Sequence, residues 1–185
     1  MQIDPNVFYR QFTLALCSSL EIETSLSRCF SYLRDILPLD RLVFCIYDPG
    51  SCSILHIASV DASGTNNKVS AIPLPEDVGK LMEEGIQNAD RLAADTQLDP
   101  LMAAVAPYVK NQGCSEILLP LHSGDEQVGY LVLQKSGLDA YSDEHMQLMA
   151  YVREPLAITM ANILRYQQVS DLKKQLENEN QQLQK

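Results

Sequence analysis

Two pairs of apolar segments constrain the fold of this chain more than any other feature of its sequence. Residues 42–47 (LVFCIY) are apolar at every position, and the turn-forming residues 48–51 (DPGS) join them to a second segment, residues 52–60. A similar pair, residues 115–122 and 127–135, surrounds a polar turn. Such pairs predict β-hairpins. Because consecutive side chains point to opposite faces of a strand, both faces of the sheet should be covered, one by helices and the other by a layer that includes a candidate binding cavity.

Helical periodicity precedes, separates and follows the hairpins. Asp4 followed by Pro5 predicts a helix start, because aspartate caps a first turn and proline suits the first helical position. Pro38 should end the second helix. The predicted helices cover residues 5–20, 23–37, 76–86, 100–112 and a long stretch from Ser142. The remaining segments are two loops, residues 61–68 and 89–99, and a short strand, residues 69–74.

The C-terminal helix should be the longest element. Its apolar face continues past Pro155, which predicts a kink in one continuous helix. From residue 167 the composition shifts to Gln, Asn and charged residues, and the remaining apolar residues have the spacing of a coiled-coil seam. These seam residues are Val169, Leu172, Leu176 and Leu183. We therefore predict one domain over residues 1–166 and a helical coiled-coil linker over residues 167–185, which leads towards an output domain outside this sequence.

Charge and segment composition argue against several classes of protein. Of the 185 residues, 24 are acidic and 14 are basic, and the resulting formal charge of -10 would repel nucleic acid. The first ten residues lack the basic start and apolar stretch of a signal peptide. No apolar run approaches the ~20 residues that span a bilayer, and the five cysteines need not form disulfides in a chain of this size. We expect a cytoplasmic protein without direct nucleic-acid or membrane contact.

The order of the predicted elements, together with five local motifs, resembles the GAF domain. The motifs are residues 40–44 (DRLVF), 95–100 (DTQLDP), 120–121 (PL), 128–131 (VGYL) and 141–144 (YSDE). In that family they mark the start of the first strand, the segment before the pocket helix, two strands of the last hairpin and the start of the final helix. The resemblance covers residues 5 to about 166.

This resemblance implies a GAF/PAS-like α/β (α+β) fold with a central antiparallel sheet of five or six strands. The terminal helices would cover one face, residues 76–112 would cover the other, and a long C-terminal helix would carry the signal. A GAF-like domain followed by a linker rich in Gln, Glu, Asn and Leu also resembles sigma-54-dependent transcriptional activators, where the linker leads to an ATPase domain and then a helix-turn-helix domain. Sensor kinases and cyclic-nucleotide enzymes use similar linkers, so the parent class stays open.

The function implied by the resemblance is non-catalytic sensing of a small molecule or cofactor in a pocket between the sheet and the crossing helices. The residues that we select as ligand-binding candidates are Tyr47, His56, Asp95, Thr96, Met102, Tyr108 and Cys114. Neither the ligand nor a cofactor can be named from these residues. The expected partners are this unidentified ligand and a second copy of the chain.

Metal binding has little support, because there is no C-x-x-C pair and the three histidines lie in unrelated segments. If a haem or iron were bound, the first ligands to test would be His56, Asp95, Asp99 and Cys114. A bilin is disfavoured because Ser115, not histidine, follows Cys114. Cyclic-nucleotide binding is disfavoured because the motif for it is missing.

Two alternatives to the sensor remain. A GAF enzyme that reduces free methionine sulfoxide would use cysteines that line the pocket, here Cys45, Cys52 and Cys114. A GAF domain of a sensor kinase or cyclic-nucleotide enzyme could instead serve only in dimerisation, with no ligand. A pocket filled by side chains would favour dimerisation alone, whereas an open pocket with several polar groups would favour the sensor.

Overall fold

The two predicted hairpins form the middle of one antiparallel sheet in this computed structural model, which describes residues 3–85, 90–93, 95–109 and 113–183. Within these ranges lie seven strands and six helices. The strands are β1 (Arg41–Asp48), β2 (Ser53–Asp61), β3 (Gly64–Asn66), β4 (Ser70–Pro73), β5 (Arg91–Ala93), β6 (Cys114–Ser123) and β7 (Glu126–Ser136). The helices are α1 (Pro5–Leu16), α2 (Ile22–Arg34), α3 (Glu76–Gly85), α4 (Pro100–Val109), α5 (Asp143–Tyr151) and α6 (Arg153–Leu183).

The strand order in the sheet is β3-β2-β1-β7-β6-β5, and β4 also pairs with β2. The first hairpin (β1 and β2) and the second (β6 and β7) therefore meet through the pairing of β1 with β7. In this register Arg41 lies opposite Gln134, and Gln134 lies opposite Glu116. A bulge interrupts the pairing of β1 with β2 between Phe44 and Cys45. The predicted mixed fold, with an antiparallel sheet between helices, is confirmed.

The sheet has seven strands rather than the five or six that we expected, because both predicted loops contain a short edge strand. Strand β3 lies within residues 61–68, and β5 lies within residues 89–99. Each has only three residues, and β3 is fully exposed. Three residues are too few to show an alternating apolar pattern. These strands are instead held in place by pairing with β2 and β6 respectively.

Helices α1, α2, α5 and α6 cover one face of the sheet. As predicted, α1 begins at Pro5, and the Asp4 carboxylate accepts a hydrogen bond from the backbone N–H of Asn6 at 2.8 Å. The helix ends at Leu16, earlier than expected, and Leu20 is exposed. The largest fully buried side chains of this layer are Phe8, Phe12, Leu16, Ile22, Leu26, Leu33, Leu42, Phe44, Ile117, Leu119 and Leu121. Their burial supplies most of the hydrophobic stabilisation of the fold.

Helices α3 and α4 cover the opposite face, as predicted for residues 76–112. The predicted ends of these two helices, at residues 86 and 110–112, lie outside the described residues. The second hydrophobic cluster is smaller and consists of Ile54, Leu74, Val78, Met82, Leu101 and Tyr130. This thinner layer leaves room for a cavity.

The final helix is interrupted at Val152, so the prediction of one kinked helix is wrong. Proline has no N–H to donate to the carbonyl four residues earlier, and its ring crowds that carbonyl. For Pro155 this carbonyl belongs to Tyr151, the last residue of α5. The N–H of Val152 bonds instead to the Met149 carbonyl at 3.2 Å, which closes a tighter turn. Pro155 then lies in the first turn of α6, where its missing N–H costs little.

Helix α6 continues well past residue 166, the predicted domain boundary. Its inner residues Leu156, Met160 and Ile163 are fully buried against the sheet, whereas Val169, Leu172 and Leu176 are all exposed. No helix in the described ranges has the length and apolar character needed to cross a membrane.

Candidate functional site

A cavity of about 120 Å³ lies between the sheet and helices α3 and α4. Alternate residues of the strands face it, because side chains alternate between the two faces of a sheet. The sheet contributes Arg41, Val43, Cys45, Tyr47, Ile54, His56, Ile72, Glu116, Leu118, Tyr130, Val132 and Gln134. The helices contribute Met82, Leu101, Met102, Val105, Ala106 and Val109. The helical wall is therefore apolar, and the polar groups all come from the sheet.

Three polar residues cross the sheet in register at one end of the cavity. Arg41 of β1 lies opposite Gln134 of β7, which in turn lies opposite Glu116 of β6. Side chains paired across antiparallel strands have Cβ atoms about 5 Å apart. The Gln134 amide group (Nε2) donates a hydrogen bond to Glu116 Oε1 at 2.7 Å. We call Arg41, Gln134 and Glu116 the polar row.

Glu116 is a carboxyl group in an unusual environment. The residue is only 5% exposed and accepts a hydrogen bond from Gln134, and among the described residues no ion pair includes it. Burial raises the pKa of Glu116 to about 7, and the bond from Gln134 offsets only part of this effect. Near neutral pH, Glu116 therefore exchanges readily between its neutral and charged forms.

Arg41 presents an unused donor at the same end. Its Nη2 donates to Ser59 Oγ at 3.1 Å, while its buried Nε has no hydrogen-bond partner among the described residues. The preceding residue fixes the start of the strand, because the Asp40 carboxylate accepts bonds from Lys135 Nζ (2.6 Å) and from the Ser136 N–H (2.9 Å). These two donors lower the pKa of Asp40 to about 2. The two residues of the D-R motif therefore have different roles: Asp40 binds the end of β7 outside the cavity, and Arg41 lines the cavity wall.

His56 supplies a second unpaired polar atom. Its Nδ1 lies 3.1 Å from the Lys68 carbonyl oxygen, which can only accept a hydrogen bond, so Nδ1 carries the proton. In the neutral ring, Nε2 is then an acceptor. This atom is buried and has no hydrogen-bond partner in the part of the chain that the structure describes. Two residues of the cavity wall thus each have a buried nitrogen without a partner among the described residues, an acceptor in His56 and a donor in Arg41.

Tyr47 joins the cavity wall to α3. Its hydroxyl lies 3.3 Å from both the Gly79 carbonyl oxygen and Glu83 Oε1. Burial is the main cause that raises the pKa of Tyr47, with a further contribution from the neighbouring Cys52. Gly79 permits this close approach, because a Cβ atom there would lie 3.0 Å from the Tyr47 hydroxyl oxygen and would overlap with Cys52 Sγ. Tyr47 therefore has a structural role that accounts for its hydroxyl without a ligand.

Three of the seven candidate residues line the cavity, namely Tyr47, His56 and Met102. The other four lie elsewhere. Asp95 accepts a hydrogen bond from the Gln97 N–H at 2.9 Å, and the buried Thr96 donates its N–H to the Cys114 carbonyl at 3.1 Å. Tyr108 is 40% exposed on α4. Cys114 borders a separate groove at the end of the sheet, and burial raises its pKa to about 11.

Arg41, Glu116 and Gln134 were not among the candidate residues selected from the sequence. One signal was available, because Glu116 is the only Asp, Glu, Lys or Arg in β6, which is otherwise largely apolar. A charge in a buried strand needs a partner or a ligand. The alternation of β7 likewise places Gln134 on the same face as Tyr130 and Val132.

In the described part of the chain, no group of three His, Cys, Asp or Glu side chains is placed to hold a metal ion. Asp99, one of the conditional iron ligands, already has partners. Its carboxylate accepts the N–H groups of Leu101 and Met102, both at 3.0 Å, and pairs with Arg91 at 2.9 Å. Asp99 therefore serves as the N-terminal cap of α4.

Comparison with curated proteins finds transcriptional activators. The chain is 33% identical over 88 residues to the DNA-binding transcriptional activator HyfR of Escherichia coli K12, which covers 47% of this chain and 12% of that protein. It is 30% identical over 113 residues to the formate hydrogenlyase transcriptional activator of Salmonella typhimurium LT2, which covers 57% of this chain and 16% of that protein. The chain thus spans under a fifth of the curated relatives that it matches. No family model matches it.

Comparison with solved structures finds GAF domains. The GAF domain of an Acinetobacter phosphoenolpyruvate-protein phosphotransferase superposes with a TM-score of 0.64 at 13% identity, over 91% of this chain and 99% of that one. Free methionine-R-sulfoxide reductase from Neisseria meningitidis, solved with its substrate, gives 0.58 at 17% identity, over 90% and 96%. The chain has the fold of GAF domains, and both predicted resemblances, to GAF domains and to transcriptional activators, are confirmed.

Proposed function

We propose that this chain is a non-catalytic sensory domain that binds a small molecule in the cavity and regulates a transcriptional output domain outside this sequence. The observation that carries the proposal is a cavity whose polar side chains include Arg41 and His56, each with a buried nitrogen, Nε and Nε2 respectively, that has no hydrogen-bond partner among the described residues. Leaving such atoms unpaired costs about 1–3 kcal/mol each, and a ligand that bonds to them removes this cost. The neighbouring Glu116 and Gln134 complete the proposed binding wall.

The size of the cavity supports a small ligand. An apolar cavity of about 150 Å³ in another protein binds benzene. The volume of about 120 Å³ here is slightly smaller. It suits a compact metabolite and is too small for a haem or a bilin. The open volume also supports the sensor over a domain that serves in dimerisation alone.

The output is proposed from the relatives. HyfR and the formate hydrogenlyase activators are transcriptional activators much longer than this chain. We infer that residues 167–185 lead to the ATPase domain of a sigma-54-dependent regulator, in the cytoplasm where transcription takes place. The net charge of -10 supports regulation without direct DNA contact by this segment.

Helix α6 supports transmission of the signal from the cavity. Its buried part packs on β6 and β7, the strands that carry Glu116 and Gln134. Its exposed part carries the seam residues Val169, Leu172 and Leu176. One rigid element thus connects the cavity wall with a surface suited to a second copy of the chain. Ligand binding transmits a signal by this route only if two arrangements of the helix bind the ligand with different affinity.

The reductase alternative has one observation in its favour, since the Cys45 thiol lines the cavity of a fold shared with free methionine sulfoxide reductases. The environment of the thiol opposes it. Burial raises the pKa of Cys45 to about 12, whereas a nucleophilic cysteine needs a lowered pKa to form the thiolate. We expect no turnover of free methionine sulfoxide. Turnover that is lost in Cys45→Ser would establish the reductase instead.

A thermal-shift screen tests the sensor proposal. The whole chain is heated with each member of a library of small metabolites. We expect at least one compound to raise the melting temperature, since a ligand at 100 times its dissociation constant stabilises by about 2.7 kcal/mol. The shift should disappear in Ala106→Phe, which fills the cavity, and persist in Leu98→Phe, which adds an aromatic ring at an exposed position. If Ala106→Phe does not fold, Ala106→Leu replaces it.

Two outcomes of this screen contradict the proposal. One is that no compound shifts the melting temperature of the wild-type chain. The other is that the same compounds shift Ala106→Phe and wild type equally, because binding would then occur outside the cavity.

A further inference from the structure

We infer that the ligand is a small amino acid, whose carboxylate binds Arg41 and whose ammonium group binds Glu116. This inference rests on the proposed function, because it assigns the chemistry of the molecule that occupies the same cavity. It starts from two opposite charges that face one cavity and do not pair with each other. Among the described residues, no ion pair includes either Arg41 or Glu116.

The register of the sheet sets the distance between these two charges. Arg41 lies on β1 and Glu116 on β6, with β7 between them, so their backbones are two strand spacings or about 9.5 Å apart. Both side chains point from the same face into the cavity. Gln134 lies between them on β7, so one bound molecule would reach both charges from the cavity side of the row. An α-amino acid carries its carboxylate and its ammonium group on the same carbon, so a single small molecule presents both charges within a short distance.

Gln134 lies between Arg41 and Glu116 and forms a hydrogen bond with only one of them. Its amide group donates to Glu116 Oε1, while Arg41 Nε has no acceptor among the described residues. Arg41 Nη2 donates to Ser59 Oγ, and Asp61 lies opposite Arg41 on β2, where Arg41 adds to the lowering of the Asp61 pKa that the hydrogen bonds from Ser63 mainly cause. A ligand carboxylate would supply the acceptor that Nε lacks, and a charged carboxylate at Glu116 needs a donor beyond Gln134. The polar row is thus complementary to a molecule with one anionic and one cationic end.

Ligands with a single charged group fit the row less well. A carboxylate without an amine would bring a second negative charge near Glu116, which repels it once Glu116 is ionised. An amine without a carboxylate would leave Arg41 Nε unpaired. The rest of the cavity is apolar, with Val43, Leu118, Met102 and Val105 around it. The side chain of the amino acid should accordingly be short and aliphatic.

Proton release should accompany binding of this ligand. An ammonium group beside Glu116 favours the carboxylate and lowers its pKa from about 7. Below pH 7 binding therefore expels a proton, and above pH 8 it does not, since Glu116 is already ionised. The described helices α3 and α4 contribute apolar side chains to the cavity wall. The other charged or titratable residues that line the cavity with Glu116 are Arg41, Cys45, Tyr47, His56 and Tyr130. The charge of Glu116 also contributes to the raised pKa values of Cys45, Cys114 and Tyr141, after the larger effect of burial.

Calorimetry with matched compounds tests the inference. The whole chain is titrated with L-valine, with isovalerate, which lacks the amine, and with isobutylamine, which lacks the carboxylate. L-alanine, propionate and ethylamine form a second, smaller set. In at least one set the amino acid should bind at least tenfold more tightly than either analogue. Titration at pH 6.5 in two buffers of different ionisation enthalpy should show release of a fraction of a proton that vanishes at pH 8.5.

Three variants identify the groups responsible. In Glu116→Gln the amino acid should lose its tenfold advantage over the carboxylate, and proton release should disappear. In Arg41→Met both the amino acid and the carboxylate should bind at least tenfold more weakly. Glu126→Gln, an exposed glutamate on the same hairpin, should bind like wild type. Melting curves of all three variants confirm that each is folded.

The inference is overturned if isovalerate binds as tightly as L-valine, if Glu116→Gln retains the preference for the amino acid, or if no compound in either set binds. Its failure is distinguishable from failure of the proposed function. The thermal-shift screen could detect a ligand of another class whose effect is lost in Ala106→Phe. That result would support the proposed sensory function and contradict the assignment of an amino acid as the ligand.

Discussion

Among single residues, Glu116 makes the sharpest prediction about stability. A carboxyl whose pKa is raised in the folded state binds its proton more tightly there than in the unfolded chain, so it destabilises the fold as pH rises. Glu116→Gln keeps the shape and can still accept the bond from Gln134, but it carries no charge. We expect the variant to be more stable than wild type at pH 8, by about 3 kcal/mol at most.

The size of this difference in the free energy of unfolding depends on pH, whereas its sign stays the same. Below about pH 4 the carboxyl is protonated in both states, so the two proteins should have equal free energies of unfolding. Between pH 4 and 7 the unfolded chain ionises first, and wild type should lose stability relative to Glu116→Gln. Urea unfolding at pH 4, 6 and 8 measures the difference, in which the titration of Asp40 and other shared groups cancels. A difference independent of pH would contradict the assignment.

The candidate site shows where residue-level reasoning from the sequence succeeds and where it stops. Tyr47 and His56 were selected because the family resemblance placed their strand segments beside the pocket and they are the polar side chains of those apolar segments, and both do line the cavity. Arg41 and Gln134 were missed, since their meeting depends on the pairing of β1 with β7, two strands that lie far apart in the sequence. Asp95 and Thr96 were selected as loop residues of the family motif, yet they hold the turn before α4.

Among the secondary-structure elements, α3 depends on one glycine for its position over the cavity. Gly79→Ala should destabilise the protein by about 1–2 kcal/mol, although alanine is normally better than glycine in a helix by about 1 kcal/mol. The reason is the added methyl group, which would lie 2.3 Å from Cys52 Sγ and 3.0 Å from the Tyr47 hydroxyl oxygen. Thermal and urea unfolding measure this loss.

A double-mutant cycle identifies the contact. In a Cys52→Ala background the sulfur is missing, so Gly79→Ala should be nearly neutral or stabilising. We expect a coupling free energy of about 1 kcal/mol or more between the two positions. Strictly additive effects would show that α3 shifts as a whole and that the contact with Cys52 does not set its position.

The elements as a group were largely predictable, and the exceptions have physical causes. Both hairpins and the start of α1 follow from apolar runs, turn residues and an Asp-Pro cap, which are local signals. Strands β3 and β5 were not predicted, because a segment of three residues is too short to show the alternating pattern of a strand. The end of α5 could have been placed at Tyr151 by counting four residues back from Pro155, but the apolar face on both sides of the break favoured a continuous helix.

At the scale of the whole molecule, an exposed apolar stripe runs along α5 and α6 from the domain to the linker. Within α6, Ile158 and Leu172 lie on one heptad position, and Val169 and Leu176 lie on another, while Tyr151 is the last residue of α5; each of them is 48–64% exposed. Tyr151 also contacts Tyr9 of α1, with ring centroids 6.5 Å apart. The stripe therefore combines the domain surface with the linker, as a parallel homodimer would require.

We predict that the chain forms a homodimer through this stripe and that Leu172→Lys combined with Leu176→Lys converts it to a monomer. Two lysines on facing helices repel each other and lose the apolar contact that the seam provides. Gln167→Lys combined with Gln181→Lys is the matched control, because it adds the same charge on the outer face of the heptad. Sedimentation velocity should show a dimer for wild type and control and a monomer for the seam variant, with unchanged circular dichroism of the domain. A seam variant that remains a dimer would assign the interface to α1 and α5, and it would make the linker a passive spacer rather than the route from cavity to output.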